Sequence, residues 1–218
     1  MINYEYIMFD LDGTLTDPAI GITNSIIYAL NKYDINVTDR SELFKFIGPP
    51  LWESFRKYYG FSNKKANEAV EFYREYYKEI GIFENLVFEG IENLLKMLQE
   101  NSRTLIVATS KPEVYAKQIL EHFEISKYFT LISGGNLDGT KANKDEIISY
   151  VLEKCNIIDK SRVIMIGDRE HDIIGAKKNC IHSMGVLFGY GDREELEKAG
   201  ADYIVKTVSE IGRILISK

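Results

Sequence analysis

Short apolar runs recur along this chain and alternate with helical patterns, and this alternation is the strongest constraint on its fold. The first run, Tyr6–Phe9, stops at Asp10, and Gly13 then marks a turn, which predicts a buried strand. Similar runs occupy 105–108, 129–132, 163–166, 184–187 and 203–205. Apolar residues at helical spacing lie between them, as in 91–98 and 147–152. Strands that alternate with helices predict an α/β fold with a Rossmann-like, doubly wound parallel sheet.

The stretch from about Ile20 to Ile82 breaks this alternation, because it has helical periodicity but no convincing strand. It predicts a small α-helical domain inserted into the sheet domain. The predicted boundaries assign 1–17 plus 85–218 to the sheet domain and 18–84 to the insertion. A length of 218 residues fits this plan, because one domain typically takes roughly 150 residues.

Composition and charge limit the partners of the chain. The formal net charge is -6, so the basic surface that binds nucleic acid is not expected. No apolar run approaches the roughly 20 residues that span a bilayer, and Glu5 and Asp10 lie where a signal peptide would be apolar. No membrane partner is expected, and the cytoplasm is the expected compartment. Cys155 and Cys180 lack CxxC spacing and are expected to be packing residues rather than a disulfide.

Three of the predicted strands end in chemically reactive side chains. These ends are the segments 10–16, 109–112 and 167–172. Ligands of an open parallel sheet bind outside the carboxyl ends of the strands, so these residues are the first candidates for a functional site.

The acidic residues at two of these ends predict a metal site. Asp10 and Asp12 follow one strand, and Asp168 and Asp172 follow another; such a cluster could not stay ionised without a cation. Oxygen ligands favour Mg²⁺ or Ca²⁺, and a site with few carboxylates that shares a phosphate oxygen suits Mg²⁺. The chemistry that fits is phosphoryl transfer, with Asp10 as the covalent acceptor and Asp12 as the group that moves the proton.

The segment Asp10-Leu11-Asp12-Gly13-Thr14 resembles the first motif of the haloacid dehalogenase superfamily, and the other strand ends match its remaining motifs in order. The resemblance implies a Mg²⁺-dependent phosphatase that acts on a small phosphorylated metabolite through an aspartyl-phosphate. The helical insertion resembles the C1 cap of that family. The resemblance also implies one role for each matched residue: Thr109 binds phosphate, Lys144 is the third-motif lysine, and Asp10, the backbone carbonyl of Asp12, Asp168 and Asp172 surround the metal.

Within the family, the segments DGTLTDP, GPPL and GVLFGYG resemble the phosphoglycolate phosphatase group, whereas 139–144 departs from its Lys-Pro-x-Pro form. Phosphoglycolate, a nucleoside monophosphate and a sugar phosphate are therefore all candidate substrates. Two other functions stay open: a phosphosugar mutase with the same Asp10 and Asp12 chemistry, and a catalytically silent binding protein on the same fold.

Further candidates for phosphate or substrate contacts are Gly13, Thr14, Ser110 and Gly48. Ser110 could instead cap the helix that follows it. Gly48 begins the segment Gly48-Pro49-Pro50-Leu51, which is either a plain turn or a rigid loop that the insertion places over the site.

Other candidates also have alternative interpretations. Asp168 could be a helix N-cap and Asp172 a solvated helix residue. Lys141 competes with Lys144 for the role of the lysine; we prefer Lys144 because it directly precedes the helical pattern that Ile147 opens.

Overall fold

The structure is a computed structural model that describes residues 3–138, 140–141 and 143–216. The strands are β1 Tyr6–Phe9, β2 Thr16–Asp17, β3 Leu86–Val87, β4 Thr104–Pro112, β5 Leu131–Gly135, β6 Val163–Gly167, β7 His182–Val186 and β8 Tyr203–Val205. The α-helices are α1 Ala19–Asn31, α2 Leu51–Tyr59, α3 Asn63–Tyr76, α4 Ile91–Glu100, α5 Glu113–His122, α6 Lys144–Lys154, α7 Glu170–Lys178, α8 Arg193–Ala199 and α9 Val208–Ile216.

Six strands form one sheet in the order β5-β4-β1-β6-β7-β8, and every adjacent pair is parallel. Counted along the chain without β2 and β3, this order is 3-2-1-4-5-6, that of the doubly wound Rossmann fold. The predicted fold class is therefore confirmed. The order reverses between β1 and β6, and the crevice at such a reversal is where ligands bind in open α/β sheets.

The central strands are apolar on both faces because helices cover both faces of the sheet. Met8, Ile106 and Met165 pack with Ile147 and Val151 of α6 in one buried cluster. Side chains alternate along a strand, so the neighbours of Met8 in β1 point to the opposite face, and they too are fully buried. A run without polar alternation thus identified the strand at the centre of the sheet.

The chain divides into two compact units, one of residues 1–16 and 87–218 and the other of residues 17–86. The smaller unit contains α1, α2 and α3, a 3₁₀-helix at Arg40–Phe46 and a π-helical turn at Tyr77–Gly81. Its aromatic side chains pack on one another; the rings of Phe55 and Phe61, for example, are stacked 5.9 Å apart. Where the chain passes between units, β2 and β3 pair in a separate two-stranded sheet.

Some details differ from the sequence predictions. The strand predicted at 129–132 begins instead at Leu131, because the backbone N–H of Phe129 closes the preceding 3₁₀-helix on the carbonyl of Ser126. Ser110 lies inside β4, and the N-cap of α5 is Pro112, so the interpretation of Ser110 as a helix cap is wrong. Cys155 and Cys180 are both free thiols. No helix in the described part of the chain has the length and apolar character that a membrane crossing needs.

Candidate active site

Two neighbouring strands at the reversal of the sheet order place Asp10 and Asp168 side by side. Asp10 follows β1 and Asp168 follows β6, and the two strands pair in register from Tyr6 to Phe9. The backbone N–H of Asp10 extends this ladder by donating to the carbonyl of Ile166, at 2.9 Å. The paired ends of β1 and β6 therefore place the side chains of Asp10 and Asp168 next to each other.

A third carboxylate completes a buried acidic cluster. Asp172 lies in the first turn of α7, and one carboxylate oxygen from each of Asp10, Asp168 and Asp172 lies within 4.8 Å of the others. Asp168 and Asp172 are each only 1% exposed, so Asp172 is not the solvated helix residue that was an alternative. The N-cap of α7 is Arg169, so Asp168 is not the cap either. Carboxylates that are this close together and this deeply buried require nearby positive charge.

Lys144 supplies one positive charge within the cluster. Its Nζ lies 2.8 Å from Oδ1 of Asp10 and 2.8 Å from Oδ1 of Asp172, and it donates to the carbonyl of Ala108 at 3.0 Å. Burial lowers the pKa of Lys144, but the two carboxylates outweigh burial, so its pKa is raised overall. Lys141 instead places its Nζ 3.7 Å from the ring centroid of Tyr150. The structure therefore brings Lys144 into the cluster, and Lys141 packs elsewhere.

Asp168 is held from two loops. Its Oδ2 accepts from the backbone N–H of Tyr190 at 2.8 Å, and its Oδ1 lies 3.4 Å from the Thr14 hydroxyl. Gly13 has φ +81°, and a Cβ on it would collide with the Asp168 carboxylate. Burial, followed by the charges of Asp172 and Asp10, raises the pKa of Asp168 well above its usual range. A side chain so confined, with its charged form so disfavoured, suits binding of a cation.

Asp172 is oriented by the start of its own helix. Its Oδ2 accepts from the backbone N–H of Arg169 at 3.1 Å, which leaves Oδ1 facing Lys144. Burial raises the pKa of Asp172 to about 6, with the Lys144 ammonium opposing the rise and Asp10 adding to it.

Asp12 has a different cation, Lys111. Nζ of Lys111 lies 2.6 Å from Oδ2 of Asp12, while Oδ1 of Asp12 is buried and has no hydrogen-bond partner among the described residues. Burial raises the pKa of Asp12, Lys111 opposes this, and Asp10 adds to it. Lys111 was not among the site residues predicted from the sequence, although it lies in the reactive segment 109–112 at the end of β4, the strand beside β1.

The remaining candidates from the sequence lie in two places, strand β4 and the smaller unit. Thr109 is buried, and its hydroxyl accepts from the backbone N–H of Lys111 at 3.3 Å. Ser110 is half-buried in the same strand. Gly48 belongs to the smaller unit, where it has φ +100° just before α2.

The loop after β7 also contacts the acidic cluster, although the sequence did not predict it as part of the site. Besides the Tyr190 N–H, its Gly189 and Gly191 lie so close to Asp168 that a Cβ on either would collide with the side chain or carbonyl of that residue. The helix that follows, α8, contributes Glu195, whose Oε1 accepts at 2.8 Å from both Nε of Arg169 and the backbone N–H of Glu170. The glycines of GVLFGYG were a signal of close backbone approach, which requires the absence of a side chain.

Comparisons with known proteins identify the family of the chain. The family model described as haloacid dehalogenase-like hydrolase matches residues 7–186. The chain is 42% identical over 216 residues to a 5'-nucleotidase of Pseudomonas aeruginosa, covering 99% of this chain and 97% of the relative. It is 35% identical over 213 residues to the tyrosine-protein kinase PtkA of Mycobacterium tuberculosis, covering 97% of this chain and 72% of the relative.

Solved structures give the same result. The crystal structure of a predicted phosphatase from Clostridium acetobutylicum is 52% identical, with a TM-score of 0.94 over 99% of both chains. The resemblance drawn from the sequence motifs is therefore confirmed: this chain belongs to the haloacid dehalogenase-like hydrolase family.

Proposed function

We propose that this hydrolase is a Mg²⁺-dependent phosphomonoesterase that passes the phosphoryl group through Asp10. The observation that carries the proposal is the buried cluster of Asp10, Asp168 and Asp172 with Lys144 in contact with two of the three carboxylates. A dianionic phosphate can approach so acidic a site only where positive charge offsets both the carboxylates and the ester.

The donor set of the cluster fits a hard divalent cation. The three carboxylates offer only oxygen atoms, which Mg²⁺ prefers, and Mg²⁺ typically binds through a few carboxylates plus water and substrate phosphate. Asp10, Asp168 and Asp172 would hold the ion, together with the backbone carbonyl of Asp12 that the family resemblance implies. When bound, Mg²⁺ supplies charge compensation between the nucleophile and the phosphoryl oxygens.

In the first half-reaction an Asp10 carboxylate oxygen attacks phosphorus, and the bond from phosphorus to the ester oxygen breaks. Asp12 donates a proton to that oxygen, and the alcohol leaves. In the second half-reaction water attacks the same phosphorus, Asp12 takes the proton of the water, and the bond to Asp10 breaks to release inorganic phosphate. Lys144 would keep Asp10 oriented throughout, and Thr109, in the neighbouring strand β4, would contact phosphate.

The proposed substrate is a small phosphomonoester. A relative at 42% identity is named a 5'-nucleotidase, so nucleoside 5'-monophosphates come first in the substrate screen, followed by phosphoglycolate and sugar phosphates. The smaller unit would act as a cap whose loops, Gly48 among them, select the substrate. We also propose the cytoplasm as the compartment, which the two free cysteines support.

The decisive variant is Asp10→Asn, assayed with p-nitrophenyl phosphate and Mg²⁺. We expect complete loss of turnover and no phosphorylated protein after acid quenching, whereas the wild type is labelled on Asp10. Asp145→Asn is the matched control, because the Asp145 carboxylate pairs with Lys178 at 3.1 Å instead of with Lys144, and it should retain activity. Turnover by Asp10→Asn at the wild-type rate would reject the proposal. Product analysis with sugar phosphates separates hydrolysis from the mutase alternative, which would return the phosphoryl group to a second hydroxyl.

A further inference from the structure

The ion pair between Lys111 and Asp12 is buried in a protein whose other lysine pairs are mostly on the surface. The two side chains are 6% and 12% exposed, whereas those of Lys117 and Glu113, also paired at 2.6 Å, are 49% and 35% exposed. Among the described ion pairs, only those of Lys144 are as well buried. A surface pair contributes little energy and is easily exchanged for water, but a buried pair holds both groups in one geometry.

The two carboxylate oxygens of Asp12 are in different situations. Oδ2 accepts from Nζ of Lys111 at 2.6 Å. Oδ1 is buried, and within residues 3–138, 140–141 and 143–216 it has no hydrogen-bond partner. Buried polar atoms are normally paired, so an unpaired one beside the proposed nucleophile marks the position at which a ligand atom arrives.

We propose that Lys111 is a positioning residue that anchors Oδ2 of Asp12 and leaves Oδ1 as the oxygen that exchanges the proton. The inference rests on the proposed function, in which Asp12 is the acid and base. With Oδ2 anchored, the Asp12 proton lies on Oδ1 and passes to the ester oxygen as the bond to phosphorus breaks. Oδ1 then takes the proton of the attacking water.

This role predicts a dependence on the leaving group. A nitrophenolate is stable as an anion and needs little help from an acid, whereas a less acidic phenol or an alcohol must be protonated as it leaves. Without Lys111 the Asp12 carboxyl can rotate, so esters with poor leaving groups should be affected most. A lysine that instead bound the phosphoryl oxygens would affect every ester equally, because all share that group.

The test compares Lys111→Met with the wild type on a series of substituted phenyl phosphates at saturating Mg²⁺. We expect kcat/KM for phenyl phosphate to fall about 100-fold and that for p-nitrophenyl phosphate to fall less than about threefold. The plot of log kcat/KM against leaving-group pKa should therefore become steeper. Lys117→Met is the matched control, because its pair has the same length but lies on the surface, and its slope should equal that of the wild type.

A double variant tests whether Lys111 acts through Asp12. In an Asp12→Asn background, Lys111→Met should produce no further change in slope. If Lys111→Met does not fold, Lys111→Arg takes its place, and its slope should fall between those of the wild type and Asp12→Asn. An equal loss across the series in either variant would overturn the role of Lys111 and leave the proposed function intact. A wild-type protein inactive on every ester would reject the proposed function itself.

Discussion

Nζ of Lys144 lies 2.8 Å from Oδ1 of Asp10, and the two side chains are only 4% and 10% exposed. The same ammonium lies 2.8 Å from Oδ1 of Asp172, so one cation serves the proposed nucleophile and a proposed metal ligand together. Lys144 is also the first residue of α6, and the position of the helix therefore determines the position of the ammonium group.

Lys144→Met is expected to lower both the stability and the activity of the protein. It is not expected to weaken metal binding. Removing one partner of a buried ion pair costs about 3–5 kcal/mol, because a charge is left uncompensated. The free energy of unfolding without metal should fall by about that amount, and kcat by about 100-fold or more. Mg²⁺ should bind at least as tightly as in the wild type, because the site has lost a positive charge. Chemical denaturation, steady-state kinetics and calorimetry measure these effects.

Lys141→Met is the matched control for that experiment, since Lys141 packs on Tyr150 instead of on the acidic cluster. It should change kcat by less than about twofold. A larger loss of activity in Lys141→Met than in Lys144→Met would mean that the lysine of the reaction is Lys141.

Asp172 makes the stability of the metal-free protein depend on pH. Its pKa is about 6 in the folded protein, raised by burial, with Lys144 opposing and Asp10 reinforcing, and about 4 in an unfolded chain. Between these values the folded state binds more protons than the unfolded state, so this contribution to stability falls as pH rises from about 4 to 6. In EDTA, the unfolding free energy of the wild type relative to that of Asp172→Asn should therefore fall as pH rises from about 4 to 6.

The stabilisation by Mg²⁺ should have the reverse pH dependence, because Mg²⁺ binds the ionised carboxylates and releases their protons. The rise in melting temperature that Mg²⁺ produces should be small at pH 5 and should grow through pH 6. A stabilisation by Mg²⁺ that does not vary over this range would show that Asp172 is ionised throughout and that its neighbours do not raise its pKa.

Gly13→Ala is expected to destabilise the protein more than its backbone conformation alone explains. Gly13 and Gly60 both have positive φ, +81° and +64°, but a Cβ on Gly60 would meet nothing within 4 Å, whereas one on Gly13 would collide with Asp168. The strain of a positive φ costs about 1 kcal/mol in each case. Gly13→Ala should lose about 3 kcal/mol or more and bind Mg²⁺ weakly, because the displaced carboxylate is a proposed ligand. Equal losses in the two variants, measured by urea unfolding, would contradict this close contact.

The positions of the reactive strand ends could be predicted from the sequence because local patterns determine them. Tyr6–Phe9 is apolar at every position, and a strand buried on both faces requires that. The next polar residue, Asp10, must then lie at the carboxyl end of that strand. Asp168 follows β6 for the same reason, and the parallel order brings the two together. The start of β5 was predicted at residue 129 and is instead Leu131, because Phe129 is apolar but closes a 3₁₀-helix before the strand begins.

Partners chosen by tertiary structure could not be predicted in this way. Lys111 is 99 residues from Asp12, and a lysine in a polar segment is by default a solvated surface residue. The N–H of Tyr190 belongs to the backbone, so no residue type marks its bond to Asp168. The sequence did contain one usable signal: Lys111 and Asp12 both follow apolar runs, and opposite charges at the ends of neighbouring strands can pair.

Glu195→Gln should weaken Mg²⁺ binding although Glu195 is not a proposed ligand. Its Oε1 holds both Nε of Arg169 and the backbone N–H of Glu170 at 2.8 Å, in a pair whose side chains are 17% and 21% exposed. Without this anionic anchor the guanidinium can turn toward the neighbouring carboxylates of Asp168 and Asp172 and compete with the metal. We expect calorimetry to show a Kd for Mg²⁺ about tenfold higher, which corresponds to about 1.4 kcal/mol.

Two further variants decide the cause of that loss. Glu197→Gln is the matched control, because its pair with Arg193 has side chains 58% and 49% exposed, and exposed pairs contribute little; its Kd should not change. If competition by Arg169 is the cause, Arg169→Gln in the Glu195→Gln background should restore the wild-type Kd. A double variant as weak as Glu195→Gln alone would show instead that Glu195 acts by fixing the first turn of α7, through the N–H of Glu170.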